Sequence, residues 1–92
     1  GCIGVTDSDG RLAGVFTDGD LRRALFRNAR IMEKPIRSVM TRNPVTVSAE
    51  QLAAEALRIF EEHNIDDLMV VDRAGRLVGA VDIQDLPKLK IL

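Results

Sequence analysis

The spacing of apolar positions changes along the chain, and each change marks an element. Residues 3–6 and 11–16 alternate as two strands joined at Ser8-Asp9-Gly10, where Asp-Gly supplies the positive φ of a tight hairpin. Residues 17 to about 27 follow as a helix. Residues 28–41 read as a connector, interrupted at Lys34-Pro35 and punctuated by Ile36, Val39 and Met40. Residues 44–47 form a short strand. Ser48 is placed to cap the next helix, with Gln51 completing a capping box. Leu52, Ala53, Ala56, Leu57 and Phe60 give that helix a buried stripe, and Asn64 suits a left-handed stop. Residues 68–71 and 76–81 repeat the hairpin, and Asp82 onward repeats the final helix start. Pro87 falls just past the first turn of that helix and predicts that it is short, kinked or displaced.

The repetition is literal. Asp7-Ser8-Asp9-Gly10-Arg11-Leu12-Ala13-Gly14 aligns with Asp72-Arg73-Ala74-Gly75-Arg76-Leu77-Val78-Gly79 at an offset of 65 residues. Each copy runs on through two apolar residues to an acidic turn ending Asp20-Leu21 or Asp85-Leu86, and Val5 matches Val70. A unit of this kind cannot bury its apolar face alone, so the copies are expected to pack on each other and leave a ligand site at their seam. The second copy has the order strand, helix, strand, strand, helix. The first has only the last three, so it is expected to be truncated at its front.

Composition narrows the function. Ninety-two residues, 46% hydrophobic and 29% charged, fit one small folded domain with a modest core and exclude disorder. No apolar run reaches the ~20 residues of a membrane span, and the N-terminus lacks a signal-peptide layout. With Cys2 as the single cysteine, a reducing cytoplasm is the expected compartment. A net charge of −1, no Trp or Tyr, and only Phe16, Phe26 and Phe60 leave little to bind nucleic acid. One Cys and one His cannot make a zinc site. No metal or cofactor is expected, and no nucleophile–base pair argues that this chain is itself an enzyme.

Thr17 is the centre of the candidate chemistry. A Thr opening a helix directly after a strand offers its hydroxyl and the free N–H groups of the first turn, and the helix dipole favours an anionic phosphate there. Asp20, three residues on, can accept bonds from ribose hydroxyls, and Gly14 allows close approach of backbone. Of Arg22 and Arg23, helical geometry lets at most one face the site. The alternative is structural: Thr17 and Asp20 also form a capping box that stabilises a helix without a ligand. The second copy has Asp82 where the first has Thr17. Asp82 can cap its helix but would repel a phosphate, so that half is expected to be structural or to contact a sugar. A cation bridging Asp82 and Asp85 would be a thin site. His63 suits the end of a helix, Asp66 and Asp67 read as surface leading into a strand that borders the seam, and Met32, Met40 and Met69 as core or interface filler.

Gly14-Val15-Phe16-Thr17-Asp18-Gly19-Asp20 and Gly79-Ala80-Val81-Asp82-Ile83-Gln84-Asp85, with Val39-Met40-Thr41-Arg42-Asn43-Pro44-Val45 leading into the second copy, resemble the tandem cystathionine-β-synthase (CBS) domain pair. The second copy departs at Asp82, where the family carries a hydroxyl residue. Residues 11–23 and 79–86 are also similar to the C-terminal CBS region of arabinose-5-phosphate isomerases, enzymes of the pathway to Kdo, the acidic sugar of lipopolysaccharide. The resemblance implies an α+β fold of small three-stranded sheets, each packed with helices. Residues 1–30 would be the back portion of a first motif, 31–41 a connector and 42–92 the second motif. It implies a regulatory module with ligand-binding residues Gly14, Thr17, Asp20, Thr41 and Asp85. That module would sense a nucleotide or nucleotide sugar, for which metabolic position suggests a cytidine sugar nucleotide, and control an upstream sugar-isomerase domain. Family members commonly dimerise, so a homodimer is expected, and a ligand-free assembly module is the alternative.

Overall fold

The computed structural model describes residues 1–84. Asp85 and Pro87, to which the sequence assigns a ligand contact and a helix disruption, lie outside the described residues. Both Asp-Gly and Ala-Gly turns close as expected, with Gly10 and Gly75 each at φ 82°, a conformation that costs a residue without Cβ nothing. The leading aspartate of each turn holds it by the same pair of bonds. Asp7 Oδ1 accepts the N–H groups of Asp9 at 2.8 Å and Arg11 at 3.0 Å, and Asp72 Oδ1 those of Ala74 at 2.9 Å and Arg76 at 3.0 Å. Strands β1 (Cys2–Thr6) and β2 (Leu12–Thr17) thus form one hairpin, and β2 runs straight into α1 (Asp18–Arg27). The connector holds two 3₁₀ turns, Ala29–Glu33 and Ile36–Ser38, and ends in β3 (Thr41–Arg42), which pairs antiparallel with β2.

Asn43, at φ 52°, redirects the chain from the first sheet into the second. There β4 (Thr46–Ser48) lies parallel to β5 (Asp67–Val71), and β5 pairs antiparallel with β6 (Leu77–Asp82). A parallel pair needs a crossover, and α2 (Ala53–His63) supplies it, stopping at Asn64 in the left-handed conformation. The result is two three-stranded sheets, ordered β1-β2-β3 and β4-β5-β6. That is the α+β architecture expected. Among the described residues no helix is long and apolar enough to cross a membrane.

The start of α2 differs from the sequence reading. Gln51 does reach back to the Ser48 N–H at 2.8 Å, but the Ser48 hydroxyl accepts from Glu50 N–H at 3.2 Å, which closes a local turn. The helix begins only after Leu52, whose backbone is extended and makes no side-chain cap. Leu52, ahead of the first helical turn, does not share the helix's inward face and is exposed, and Ala53, the first helical residue, is exposed as well. The buried stripe is Ala56 and Phe60, with Leu57 and Ile59 half-buried beside them.

Val47, Ala56, Phe60 and Leu68 form the core, flanked by Val45, Ile65, Val70 and Val81. Leu68 is 0% exposed beneath α2, whereas Ile3, its equivalent in the first copy, is 58% exposed. The two copies meet turn to turn. Leu12 N–H donates to the Gly75 carbonyl and Leu77 N–H to the Gly10 carbonyl, both at 3.0 Å, so the repeat offset exchanges one bond for the other. A Cβ on Gly4 would lie 2.6 Å from Leu77 Cδ2 and 3.3 Å from the sulfur of buried Met69, so the hairpin faces touch there. Of the other methionines, Met40 packs on Gly14, while Met32 is exposed instead of filling a core.

Phe60 is 3% exposed and Phe26 90%. Phe60→Ala is expected to lower unfolding free energy by about 3–5 kcal/mol, and Phe26→Ala to change it by no more than about 0.5 kcal/mol. Denaturant titration of both variants measures the contrast.

Candidate functional site

The site grows from the junction of β2 and α1. Thr17 keeps the extended backbone of its strand (φ −111°, ψ 169°) and serves as N-cap of the helix. Its hydroxyl accepts the Asp20 N–H at 3.1 Å, and Asp20 Oδ2 returns the favour from the Thr17 N–H at 2.9 Å. The capping box weighed as the alternative is thus formed in full.

Asp20 also ties in two further elements. Its Oδ1 accepts from Arg23 Nη2 at 2.8 Å and from the Thr41 hydroxyl at 3.1 Å, which fastens β3 to the helix tip. Partial burial pushes its carboxyl up, but bonds from the Thr17 backbone, Arg23 and Thr41 outweigh this and hold it below the usual carboxylate range. A carboxylate has about four acceptor positions. Three are taken by the Thr17 N–H, Arg23 and the Thr41 hydroxyl, so about one remains.

Gly14 explains how β3 comes so close. A Cβ there would sit 2.8 Å from the Thr41 carbonyl oxygen and 2.7 Å from the Met40 sulfur. The residue lies behind the site and positions Thr41 within it. Arg23 likewise folds back over Gly19, its guanidinium 3.1 Å from where a Cβ would be.

Thr17, Asp20 and Thr41 open on a cleft of about 750 Å³ between the two halves of the chain. Both Arg22 and Arg23 line it, not one of them, since Arg23 curls toward the helix start to meet Asp20 while Arg22 faces it from the adjacent position. The opposite wall brings Asp66 and Asp67, read from the sequence as surface leading into a strand at the seam, together with Asp82, Ile65 and Met69. The repeat offset could have found them, because it maps the pair Cys2 and Thr17 onto Asp67 and Asp82, and both pairs are cross-strand partners. Burial pushes the Asp67 carboxyl up, and the charges of Asp82 and Asp66 push it further. Burial, then Asp67, also raises the Cys2 thiol. Asp82 Oδ1 accepts the Gln84 N–H at 2.8 Å, closing the turn after β6. Among the described residues no cluster of three or more His, Cys, Asp or Glu could hold a metal ion.

Gly14→Ala must displace backbone, so it is expected to destabilise the fold by about 1–3 kcal/mol and to loosen Thr41 from Asp20, read by denaturant titration and by faster amide exchange in β3. The depressed carboxyl of Asp20 contributes stability above the ordinary carboxylate range that disappears as pH falls through its folded value, whereas Asp67 contributes in the opposite sense. Asp20→Asn is accordingly expected to lose less of its melting temperature than the parent chain between about pH 6 and about pH 3, as followed by circular dichroism.

The geometry has counterparts in known proteins. The family model described as "CBS domain" matches residues 1–27 and 36–89. The chain is 50% identical over 88 residues to the arabinose 5-phosphate isomerase KdsD of Pseudomonas aeruginosa, covering 96% of this chain and 27% of that protein. The chain thus spans about a quarter of the length of such relatives. The CBS domain pair of protein MJ0100, solved in complex with 5′-methylthioadenosine and S-adenosyl-L-methionine, superposes with a TM-score of 0.83 at 30% identity, over 97% of this chain and 71% of that one. The CBS domain protein PAE2072 from Pyrobaculum aerophilum, complexed with AMP, gives 0.80 at 29% identity, over 94% and 66%. With its duplicated hairpins, seam and helix-tip threonine, the chain belongs to the CBS domain family, as a tandem pair of the kind carried by arabinose 5-phosphate isomerases.

Proposed function

We propose that this chain is a regulatory ligand-binding module that senses a nucleotide or nucleotide sugar and controls an attached arabinose-5-phosphate isomerase domain. The observation that carries the reading is the cleft of about 750 Å³, into which the capped tip of α1 opens beside two arginines. Thr17 and Thr41 border the phosphate, Asp20 orders them and offers its remaining acceptor position to a ribose, and Gly14 supports the arrangement from behind. Val15, Pro44, Val45 and Ile65 give the cleft apolar surface for a base. Asp85 keeps its proposed ligand contact from beyond the described residues. The complexes of related pairs with AMP and with S-adenosyl-L-methionine support a nucleotide-type ligand, and the similarity to KdsD supports an isomerase partner.

On this reading residues 1–30 act as the back portion of the first motif, 31–41 as connector and 42–92 as the second motif. The module performs no catalysis itself, works in the cytoplasm, and answers to a cytidine sugar nucleotide as feedback from the end of the Kdo pathway. A second reading, a dimerisation module without ligand, draws on the exposure of Phe26, Met32 and Leu25 on and after α1.

A thermal-shift panel of AMP, ATP, CMP and a cytidine sugar nucleotide tests the reading. At about 100 times Kd a ligand adds about 2.7 kcal/mol, which is expected to raise the melting temperature by roughly 10 °C or more and to do so much less in Thr17→Ala. No shift with any of the four, together with a dimeric mass in solution, would favour the assembly reading.

A further inference from the structure

Two arginines stand side by side on α1, and the fold uses them differently. Arg23 is committed: its Nη2 donates to Asp20 Oδ1 at 2.8 Å, and its guanidinium lies back over Gly19. The carboxylate that balances it is nearly enclosed, with 10% of its side chain exposed, so the pair is held together. Arg22 lines the same cleft, yet it makes no hydrogen bond or ion pair with any described residue. Asp18, one turn earlier, pairs instead with the Gly1 amine and is 78% exposed. An ion pair at such exposure is weak, so Asp18 does not hold the Arg22 guanidinium away from an anion.

A helical side chain leans toward the N-terminus of its helix and covers the turn before its own Cα. Arg22 therefore reaches back over the first turn of α1, where unpaired N–H groups and the helix dipole already favour negative charge. The capping box brings the negative charge of Asp20 to that same tip. A phosphoryl group there needs a cation that is not already balanced, and Arg22 supplies one on the α1 wall. Its planar fork fits two phosphate oxygens at once. We infer, on the nucleotide reading of the cleft, that Arg22 is the residue that contacts the phosphoryl group of the ligand. Arg23 is a positioning residue that holds Asp20.

Isothermal titration of the whole chain with AMP, adenosine, CMP and cytidine tests this in the parent, Arg22→Gln and Arg23→Gln. Each nucleoside lacks only the phosphoryl group of its monophosphate, so the ratio of their affinities reads recognition of charge. The parent is expected to bind each monophosphate at least about tenfold more tightly than its nucleoside. In Arg22→Gln that ratio is expected to shrink at least about fivefold through loss of monophosphate affinity. Nucleoside affinity and melting temperature are expected to stay at the parent's values, since Arg22 bonds to nothing in the fold. In Arg23→Gln both affinities are expected to fall together, leaving the ratio within about twofold of the parent's. That variant is also expected to lose less melting temperature than the parent between about pH 6 and about pH 3, because Asp20 is then less depressed. Where a nucleoside binds too weakly to measure, the fall in monophosphate affinity is read directly. Unchanged monophosphate affinity in Arg22→Gln would overturn the assignment. So would equal binding of monophosphate and nucleoside by the parent, or a ratio that collapses in Arg23→Gln alone. Those results would leave the nucleotide reading standing. Binding of none of the four by the parent would remove the mononucleotide reading and the role of Arg22 with it.

Discussion

Two backbone hydrogen bonds decide how this chain is arranged. Leu12 donates to Gly75 and Leu77 to Gly10, so each hairpin turn closes on the other in a reciprocal clasp. The clasp works because both turns place a glycine at positive φ and present its carbonyl to the neighbouring copy. Once the turns are locked together, the opposite ends of the hairpins must also lie side by side. Thr17 and Asp82 occupy those ends. A single cleft bordered by both is the geometric consequence, and the close contact of Gly4 with Leu77 and Met69 keeps the hairpins from splaying.

At the tip of α1, the same few atoms cap the helix and fasten β3 to it. The capping box consumes the Thr17 hydroxyl as acceptor and one backbone N–H, but it leaves the helix dipole intact. Asp20 neutralises part of the local charge, and Arg23 answers it at 2.8 Å. Holding Thr41 as well, Asp20 couples the helix to β3, so anything that displaces Asp20 must move both. Asp20 thus links the helix tip directly to β3, where the connector ends.

The charge of the cleft has the same origin as the fold. Duplication sets two cross-strand pairs at equivalent places, and divergence has left one as Cys2 with Thr17 and the other as Asp67 with Asp82. The carboxylate pair lies at the first residue of β5 and the last of β6, at the end of the sheet.

Much of this was legible in the sequence. The Asp-Gly and Ala-Gly turns, the Thr17 cap and the Asn64 stop are local, set by φ preferences and by bonds spanning two to four residues. The 65-residue repeat likewise announced two copies that must pack. The start of α2 misled because the bonds of Ser48 and Gln51 close a short turn as readily as a helix, and only packing of Ala56 and Phe60 on Leu68 fixes where the helix begins. The expectation that at most one of Arg22 and Arg23 would face the site failed for a similar reason: residue spacing gives the direction of a Cβ, not the path of a long side chain drawn to a carboxylate. Sequence alone determined the order of the elements, apart from where α2 begins, and the helix tip capped by Thr17. Tertiary structure decided which acidic residues stand across from it, because Asp66, Asp67 and Asp82 reach the cleft through strand pairing and seam contacts between parts of the chain far apart along it.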